Sequence, residues 1–356
     1  MMPGAVEVKT LWLIYHFYQS RITGAMTVDR AQPWVSTPLV ESSHLSKIAG
    51  CRIFLKLENL QPSGSFKSRG IGNYLLCRIR ECTAAGKQPH FYASSGGNAG
   101  IACVVAAQSL GYQASVVVPT TTSPALVARL EEEGANAVYQ HGQSVMDADN
   151  YLRSEVLLRD PDGVYVPPFD HPDVWAGNST VMHEIAEQLS YEQPDLVVCS
   201  VGGGGLMNGI VQALDELGWS EGTSVLAMET AGADSLNHAL KANRLVKLDK
   251  VTSRARSLGV STVSEKTFEY AQRPQVSNAV LTDAEAARGC LLLARHERLM
   301  VELTAGVAVA LCENGQLERY SGRQLDRNAK VVLLVCGGND ISIEMLMEWQ
   351  KYTGSF

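Results

Sequence analysis

The chain has 356 residues, of which 46% are hydrophobic and 19% charged, so it can bury a large core and is long enough for two domains. Its formal net charge of -7 offers no basic surface for nucleic acid, and no apolar run approaches the length of a membrane span. The eight cysteines are scattered without a C-x-x-C pair, which favours reduced thiols in a reducing compartment over a disulfide framework or a zinc site.

Residues 1–25 precede the first domain-like sequence. The stretch 11–18 is apolar and aromatic, but only Lys9 lies ahead of it and no small-residue cleavage site follows, which argues against a secretory signal. Sparse acidic residues and Arg21 favour a mitochondrial presequence as one alternative, and a start at Met26 is another. We therefore treat this stretch as an N-terminal extension and expect a cytoplasmic protein, unless the extension directs it to mitochondria.

The first candidate functional motif surrounds Lys67. Turn-forming residues fill positions 62–64, and apolar residues recur at helical spacing over 71–80, so Lys67 should lie at or just inside a helix N-terminus. Burial and the helix dipole would disfavour its ammonium form and leave a nucleophilic amine. A solvated lysine is the simpler alternative. A P-loop is not favoured, because Gln61 and Phe66 stand where that motif needs glycine.

A second motif, Ser-Ser-Gly-Gly-Asn-Ala-Gly at residues 94–100, lies between a strand predicted at 90–93 and a helix predicted at 101–110. Small residues let a ligand approach the backbone, and the N–H groups of a helix N-terminus suit an anion such as a carboxylate. A tight turn that binds nothing is the alternative.

The alternation of strand and helix patterns continues along the chain and predicts an α/β fold. Further strands are predicted at 52–57, 114–118, 136–139, 164–166, 195–201, 226–229 and 331–335, and further helices at 124–133, 177–188, 206–217, 283–295 and 305–313.

Four consecutive glycines, Gly202, Gly203, Gly204 and Gly205, follow one of the buried strands and open a helix. They carry a conformational entropy cost that a simple turn would not need. What they provide is a set of backbone N–H groups at a helix N-terminus, which suits a phosphate. A dinucleotide fingerprint fits less well, because it would need glycine where the chain has Met207 and an acidic residue for the ribose.

Two other strand ends carry candidate site residues. Glu229 ends one strand before a small-residue turn at 230–235, and a second such turn follows at 257–261. Cys336 ends the last strand before two glycines. Ligands in open α/β sheets bind beyond the carboxyl ends of the strands, so Cys336 and the four glycines should share one edge.

Four motifs in sequence order carry a resemblance to a known family. They are Ser-Gly-Ser-Phe-Lys-x-Arg-Gly at 63–70, Ser-Ser-Gly-Gly-Asn-Ala-Gly at 94–100, Val-Gly-Gly-Gly-Gly-Leu at 201–206 and Val-Cys-Gly-Gly-Asn at 335–339. The chain resembles the catabolic L-serine dehydratase/L-threonine deaminase family, pyridoxal-phosphate enzymes of the tryptophan-synthase β fold. The similarity runs from about residue 33 to the C-terminus and includes the segments 168–170, 228–230 and 258–260.

The resemblance implies a role for each candidate residue toward pyridoxal 5′-phosphate. Lys67 would form the Schiff base, Phe66 would pack against the cofactor, and Asn98 would bond its 3′-oxygen. The glycines at 202–205 would hold the phosphate. Cys336 would face the pyridine nitrogen, where a neutral thiol is a weak donor that suits β-elimination better than transamination.

The resemblance also implies the reaction. L-Serine or L-threonine would displace Lys67, which then removes the Cα proton, while the cofactor phosphate protonates the departing hydroxyl. The released aminoacrylate hydrolyses to pyruvate, or to 2-oxobutanoate from threonine, and ammonia. The substrate carboxylate would bind the substrate loop, which consists of Ser94, Ser95, Gly96, Gly97 and Asn98.

Three alternatives to this interpretation are open. One is serine racemisation, the competing chemistry on this fold, and the other two are a catalytically weak relative and a nucleotide-binding protein. Serine racemases carry a serine hydroxyl opposite the lysine, just before the Gly-Asn pair, where this chain has Gly96. Lys67 returns a proton only to the face from which it took one, so the sequence predicts elimination without racemisation.

The resemblance further implies two open, twisted, mostly parallel sheets with flanking helices, the fold type II of these enzymes. A small domain, residues 61–170, would close over a large one, residues 26–60 and 171–356, with the cofactor between them. A homodimer is expected. A monovalent cation, potassium, is expected from the acid at the strand end, the two small-residue turns and the family pattern, at a site formed by Gly202, Glu229, Ala233, Ser235, Leu258 and Val260.

Two further expectations concern the C-terminal part of the chain. One helix after the Cys336 turn leaves no room for the regulatory domain of biosynthetic threonine deaminases. Relatives commonly have proline after the acid at Glu302, where this chain has Leu303 and then Thr304, so a local backbone change is expected.

Overall fold

The computed structural model describes residues 32–353, and the expectations for residues 1–25 lie outside this range. The strands are β1 Leu39–Glu41, β2 Arg52–Lys56, β3 His90–Ala93, β4 Gln113–Val118, β5 Ala137–Gln140, β6 Gly163–Tyr165, β7 Leu196–Ser200, β8 Ser224–Thr230, β9 Val276–Leu281 and β10 Lys330–Leu334. The α-helices are α1 Ser43–Ala49, α2 Lys67–Ala84, α3 Asn98–Leu110, α4 Pro124–Glu132, α5 Val145–Tyr151, α6 Pro172–Gln188, α7 Gly205–Leu217, α8 Ser235–Ala242, α9 Glu265–Ala271, α10 Asp283–Leu292, α11 Leu303–Ala310, α12 Gln316–Ser321 and α13 Ile343–Thr353.

Two mostly parallel sheets organise the described residues. The larger sheet has the order β1-β2-β10-β7-β8-β9, in which β1 is antiparallel to β2 and the other neighbours are parallel. The smaller sheet has the order β5-β4-β3-β6 and is parallel throughout. This arrangement confirms the predicted fold class of two mostly parallel sheets with flanking helices.

The central strands of the larger sheet are buried along their length. Every residue of β7 and β8 is buried, and so is β10 after its first residue. Continuous apolar burial is expected of a parallel sheet that helices cover on both faces. Because β7, β8 and β10 are parallel, their carboxyl ends lie at one edge, and this edge carries Glu229, Cys336 and the four glycines.

Two elements differ from those that the sequence patterns predicted. The helix predicted at 177–188 begins earlier, at Pro172, because proline fits the first helical position and the His171 ring accepts a bond from the Asp173 N–H group. The sequence missed β9, because Ser277 and Asn278 interrupt its apolar pattern.

The smaller sheet is built from strands between residues 90 and 165, while the larger sheet uses strands from both sides of that segment. The predicted domain boundaries near residues 60 and 170 are compatible with this division and stay a prediction. Within residues 32–353, no helix is long and apolar enough to cross a membrane.

Candidate active site

Lys67 is the first residue of α2, which confirms its predicted position at a helix start. The preceding turn contains Gly64 at a positive φ of 74°. The Lys67 Nζ atom donates a hydrogen bond to the Pro168 carbonyl oxygen at 2.9 Å. Burial lowers the pKa of Lys67 to about 8, and the nearby Cys336 and Glu302 oppose this shift. The nucleophilic free amine of Lys67 is therefore more accessible near neutral pH than that of an ordinary lysine.

The Cys336 turn, residues 335–339, is fastened to the turn before Lys67 by backbone groups. The Phe66 N–H group donates to the Cys336 carbonyl oxygen at 3.1 Å, and the Gly338 N–H group donates to the Gly64 carbonyl oxygen at 3.0 Å. Burial raises the pKa of the Cys336 thiol to about 12, so this thiol is neutral at physiological pH. The structure thus brings two predicted motifs together across the edge of the larger sheet.

Asn98 joins the substrate loop to the Cys336 turn. Its Oδ1 atom accepts hydrogen bonds from the Asn339 backbone N–H group at 3.0 Å and from Asn339 Nδ2 at 2.9 Å. Its Nδ2 atom donates to Glu302 Oε1 and to Ser257 Oγ, each at 3.1 Å. Asn98 is therefore held in one orientation by groups from three other segments.

The Ser94 hydroxyl bonds the carboxylate of Asp149, which lies on α5 between two strands of the smaller sheet. Ser94 Oγ donates to Asp149 Oδ1 at 2.6 Å, and the same carboxylate accepts from the Tyr165 hydroxyl at 2.8 Å and from Arg153 Nε at 2.9 Å. We call these four residues the Asp149 cluster. Because Asp149 accepts this hydrogen bond from Ser94, the N-terminal end of the substrate loop is anchored by a side chain.

Gly96 and Gly97 differ in the space around them. A Cβ at Gly96 would lie 2.9 Å from Thr122 Cγ2 and 3.1 Å from Val118 Cγ1. The nearest neighbour of a Cβ at Gly97 would be Ser95 Oγ, at 4.0 Å. A side chain at position 96 would therefore displace Thr122, whereas position 97 has room for one.

The glycine turn, residues 202–205, links β7 to α7 in a space that excludes side chains. A Cβ on Gly203 would lie 2.3 Å from the Phe169 ring, and one on Gly204, which has a φ of 93°, would lie 1.9 Å from Thr267 Oγ1. The first N–H groups of a helix have no partner within the helix, and they attract anions. The glycine turn can therefore bring backbone donors close to a phosphate.

Glu229 is a buried carboxylate near the end of β8. Its Oε1 atom accepts from the Leu236 N–H group at 2.8 Å, and its Oε2 atom accepts from the Asn237 N–H group at 2.8 Å and from Asn278 Nδ2 at 3.0 Å. Burial raises the pKa of Glu229 to about 7 in spite of these donors. The neighbouring Ser235 Oγ is buried and has no hydrogen-bond partner.

Of the other residues of the predicted cation site, Leu258 lies against the glycine turn. A Cβ at Gly202 would lie 3.2 Å from Leu258 Cα, so these two backbones are in contact. Ala233 is buried in the turn that separates β8 from α8. Within residues 32–353, no group of three or more His, Cys, Asp or Glu residues could hold a metal ion. The predicted site has one carboxylate and does not depend on such a group.

Three groups at the site were missed by sequence reasoning. Glu302 bonds Asn98, the Pro168 carbonyl accepts from Lys67, and Asp149 accepts from Ser94. Pro168 belongs to a segment that carried the resemblance, but nothing in it marked a main-chain acceptor. Asp149 is 55 residues from Ser94, so no local spacing connects them.

The residues present fit pyridoxal phosphate. Lys67 has a lowered pKa, so its amine can react with an aldehyde. The glycine turn can bind an anion with its backbone N–H groups, in a space where a Cβ would not fit. The Cys336 thiol is a neutral group near the lysine. The Phe66 ring centroid lies 5.1 Å from Lys67 Nζ, where it can flank a planar ring. The individual contacts to the cofactor stay predictions.

Comparisons with known proteins agree with this arrangement. The family model described as pyridoxal-phosphate dependent enzyme matches residues 31–337. A Rattus norvegicus protein named serine dehydratase-like is 44% identical over 324 residues, covering 90% of this chain and 95% of the relative. A Homo sapiens protein named L-serine dehydratase/L-threonine deaminase is 39% identical over 327 residues, covering 90% and 95%. The crystal structure of a fungal L-serine ammonia-lyase from Rhizomucor miehei superimposes with a TM-score of 0.83 at 34% identity, covering 89% of this chain and 98% of that one.

Proposed function

This chain belongs to the family of pyridoxal-phosphate-dependent enzymes, and from that premise we propose that its site eliminates the β-hydroxyl group of L-serine and L-threonine. The products are ammonia with pyruvate from serine, or with 2-oxobutanoate from threonine. Relatives named serine dehydratase and threonine deaminase, and a fungal L-serine ammonia-lyase of the same fold, support this lyase activity. The observation that carries it is the Lys67 amine, held by the Pro168 carbonyl and near Cys336 and Glu302, with Asn98 bonded to the same Glu302.

Pyridoxal phosphate, when bound, supplies an electron-accepting ring that acidifies the Cα–H bond of the amino acid. The residues that would hold it are the glycine turn at its phosphate, Cys336 at its pyridine nitrogen, Asn98 at its 3′-oxygen and Phe66 against its ring. The raised pKa of Cys336 keeps its thiol protonated, so it places no charge on the pyridine nitrogen.

Lys67 has two tasks in this proposal. Its amine is the point of covalent attachment, and once substrate has displaced it, the same amine removes the Cα proton. The lowered pKa of Lys67 favours both tasks, because each needs the free amine. The substrate loop would bind the carboxylate of the amino acid through backbone N–H groups, since Asp149 engages the Ser94 hydroxyl.

Elimination is favoured over racemisation by Gly96. Racemisation needs a proton donor on the face opposite Lys67, and Gly96 has no side chain to supply one. We expect pyruvate and essentially no D-serine from L-serine. Chiral chromatography of the amino acid left after partial turnover measures this, and appreciable D-serine would show that another acid lies in the cleft.

The experiment that tests the proposed function begins with the visible absorbance of the purified protein. We expect a yellow protein whose visible band is lost on borohydride reduction, with the label found on Lys67 by peptide mass spectrometry. Release of ammonia and pyruvate from L-serine should accompany that band. A colourless protein that binds a dinucleotide, or a yellow protein that releases no ammonia, would contradict the proposal.

A potassium ion beside the glycine turn is also part of the proposal. Its ligands would be the Glu229 carboxylate, Ser235 Oγ and the carbonyl groups of Gly202, Ala233, Leu258 and Val260. The buried and unpartnered Ser235 Oγ supports a ligand there, as does the charge that Glu229 would place in a buried site. Equal activity in potassium and in a buffer with only bulky organic cations would count against this ion.

The assembly and location of the enzyme are proposals of the same kind. We expect a homodimer, which sedimentation equilibrium of the purified chain would measure. We also expect the enzyme in the cytoplasm, or in mitochondria if residues 1–25 act as a presequence. Fusion of residues 1–25 to a fluorescent protein separates these two locations.

A further inference from the structure

Four charged side chains form an ion network behind the start of α2. They are Lys56 at the end of β2, Glu58 in the turn that follows, Arg69 on α2 and Glu184 on α6. Lys56, Glu58 and Arg69 are fully buried, and Glu184 is partly buried. The desolvation of buried charges offsets most of their mutual attraction, so stability alone is a weak reason for such a network.

Arg69 is the centre of this network. Its Nε and Nη2 atoms donate to the two carboxylate oxygens of Glu58 at 2.7 and 2.8 Å, and its Nη1 and Nη2 atoms donate to those of Glu184 at 2.6 and 2.7 Å. Nη1 also donates to Thr180 Oγ1 at 3.0 Å. All five N–H groups of the guanidinium therefore have acceptors, which fixes this side chain in one orientation.

The start of α2 lacks the features that usually fix a helix N-terminus. Phe66 makes no side-chain capping bond, and the first turn contains no acidic residue. Arg69 follows Lys67 by two positions, which is about 200° around the helix, so their side chains leave α2 on roughly opposite sides. The Arg69 guanidinium therefore holds the first turn from the side opposite Lys67.

The backbones of α2 and α6 touch beside Arg69. A Cβ on Gly177 of α6 would lie 2.4 Å from the Arg69 carbonyl oxygen and 2.8 Å from Gly70 Cα. Pro168, whose carbonyl accepts the hydrogen bond from Lys67, lies just before α6. The helix α6 and the residues that precede it therefore contact both the Lys67 amine and the turn that carries it.

We infer that Arg69 is a positioning residue for Lys67: it ties the first turn of α2 to Glu58 and Glu184 and so keeps the Lys67 amine in its reactive place. The inference rests on the proposed function, in which Lys67 is both attachment point and base. Placement matters there, because a displacement of about 1 Å can cost a reacting group roughly 100-fold in rate.

The test uses Arg69→Lys, which keeps the charge but cannot make two planar, paired contacts. Hydrogen exchange of the full-length protein with excess pyridoxal phosphate, followed by mass spectrometry on residues 62–72, measures how firmly the first turn is held. We expect exchange there to quicken by about tenfold beyond what the change in urea stability explains. Visible circular dichroism per bound cofactor should fall by about half, and kcat by about 30-fold with KM changed less than about threefold.

Arg78→Lys is the matched control. It makes the same substitution on the same helix, at another ion pair with α6, in which Arg78 Nη2 lies 2.6 Å from Asp173 Oδ2. The exchange of residues 62–72, the dichroism and kcat should match those of the unmodified enzyme. If Arg69→Lys lowers stability but leaves these three measurements as in the control, Arg69 has only a structural role and the inference is overturned.

Thr180→Val provides a second test, which decides if Arg69→Lys does not fold. It removes one acceptor of the Arg69 guanidinium and changes no charge. We expect the same three measurements to move in the same direction by smaller amounts, with kcat lower by about threefold. If Arg69→Lys cannot be measured and Thr180→Val matches the unmodified enzyme, the inference is overturned.

Failure of this inference differs from failure of the proposed function. An unmodified protein with no visible band and no pyruvate would contradict the function, while faster exchange of residues 62–72 in Arg69→Lys would still support the role of Arg69 at the start of α2. A yellow, active enzyme whose Arg69→Lys form matches Arg78→Lys would contradict this inference alone.

Discussion

The two sides of the cleft are shaped by different kinds of interaction. On the larger-sheet side, the glycine turn packs so closely against Phe169 and Thr267 that Gly203 and Gly204 have no room for a Cβ, and backbone hydrogen bonds hold the Cys336 turn. On the smaller-sheet side, the substrate loop is held by side chains, through the Asp149 cluster and the bonds of Asn98. A Cβ in the glycine turn would approach these side chains far more closely than van der Waals contact allows, so the glycine turn should tolerate substitution less well than Gly97.

The largest expected effect is at Lys67 itself. Lys67→Ala removes both the attachment point and the base, so kcat should fall by at least about 10⁴-fold while the protein stays folded. Steady-state pyruvate release measures kcat, and circular dichroism measures whether the variant stays folded. Lys47→Ala, at an exposed lysine, is the control and should match the unmodified enzyme. A substantial residual rate in Lys67→Ala would contradict the assignment.

Gly203→Ala and Gly97→Ala compare the two sides directly. A Cβ at Gly203 meets the Phe169 ring at 2.3 Å, whereas at Gly97 it has room. We expect Gly203→Ala to weaken pyridoxal phosphate binding by about 50-fold through overpacking. Gly97→Ala should bind the cofactor normally. Titration of the apoenzyme with cofactor gives both affinities, and equal affinities in the two variants would refute the comparison.

Glu229 tests the buried charge on the larger-sheet side. Its pKa is about 7 in the folded chain against 4.5 for the free side chain, so the folded state binds more protons and stability should fall as the pH rises from 4.5 to 7. The loss is up to about 3 kcal/mol without a cation. Potassium should reduce this loss of stability, because its charge balances that of the Glu229 anion.

Urea unfolding at pH 5 and pH 7.5, with potassium or with tetramethylammonium, measures this dependence. Glu229→Gln is the control, because it cannot ionise and should lose both the pH dependence and the response to potassium. A Glu229 enzyme that is equally stable in all four conditions would show that the carboxyl is not titrating in this range.

The Asp149 cluster should produce a smaller effect, confined to substrate binding. Asp149→Asn weakens the bond that anchors Ser94, and we expect KM for L-serine to rise by about tenfold with little change in kcat or in cofactor absorbance. Glu155→Gln, which breaks the exposed ion pair with Arg159, is the control. An equal fall in kcat would indicate that the cluster acts on the chemical step instead.

The smallest expected effect is a gain of racemisation in Gly96→Ser. The new side chain meets Thr122, so D-serine should reach only a few per cent of turnover, with slower elimination. The double variant Gly96→Ser/Thr122→Ser removes the Thr122 Cγ2 atom and should racemise more than the single variant. Chiral chromatography compares them, and no D-serine from either variant would mean that position 96 does not face the reacting carbon.

The sequence predicted most of what depends on local pattern. The start of α2 at Lys67, the strand His90–Ala93 and the glycine turn between β7 and α7 follow from turn residues and from apolar runs whose period differs between helix and strand. The order of these elements also predicted the α/β class. Where polar residues interrupt the pattern, as in β9, the local signal was too weak.

The sequence by itself therefore determined the fold class, and it predicted the reactive lysine and the glycine-lined anion site, because each prediction depends on neighbouring residues. Only the tertiary structure decided which distant groups complete the site. Glu302 meets Asn98 across 204 positions and Asp149 meets Ser94 across 55. Parallel strands place residues from separate crossovers at one sheet edge, and the partner that each side chain finds there depends on packing that no local spacing records.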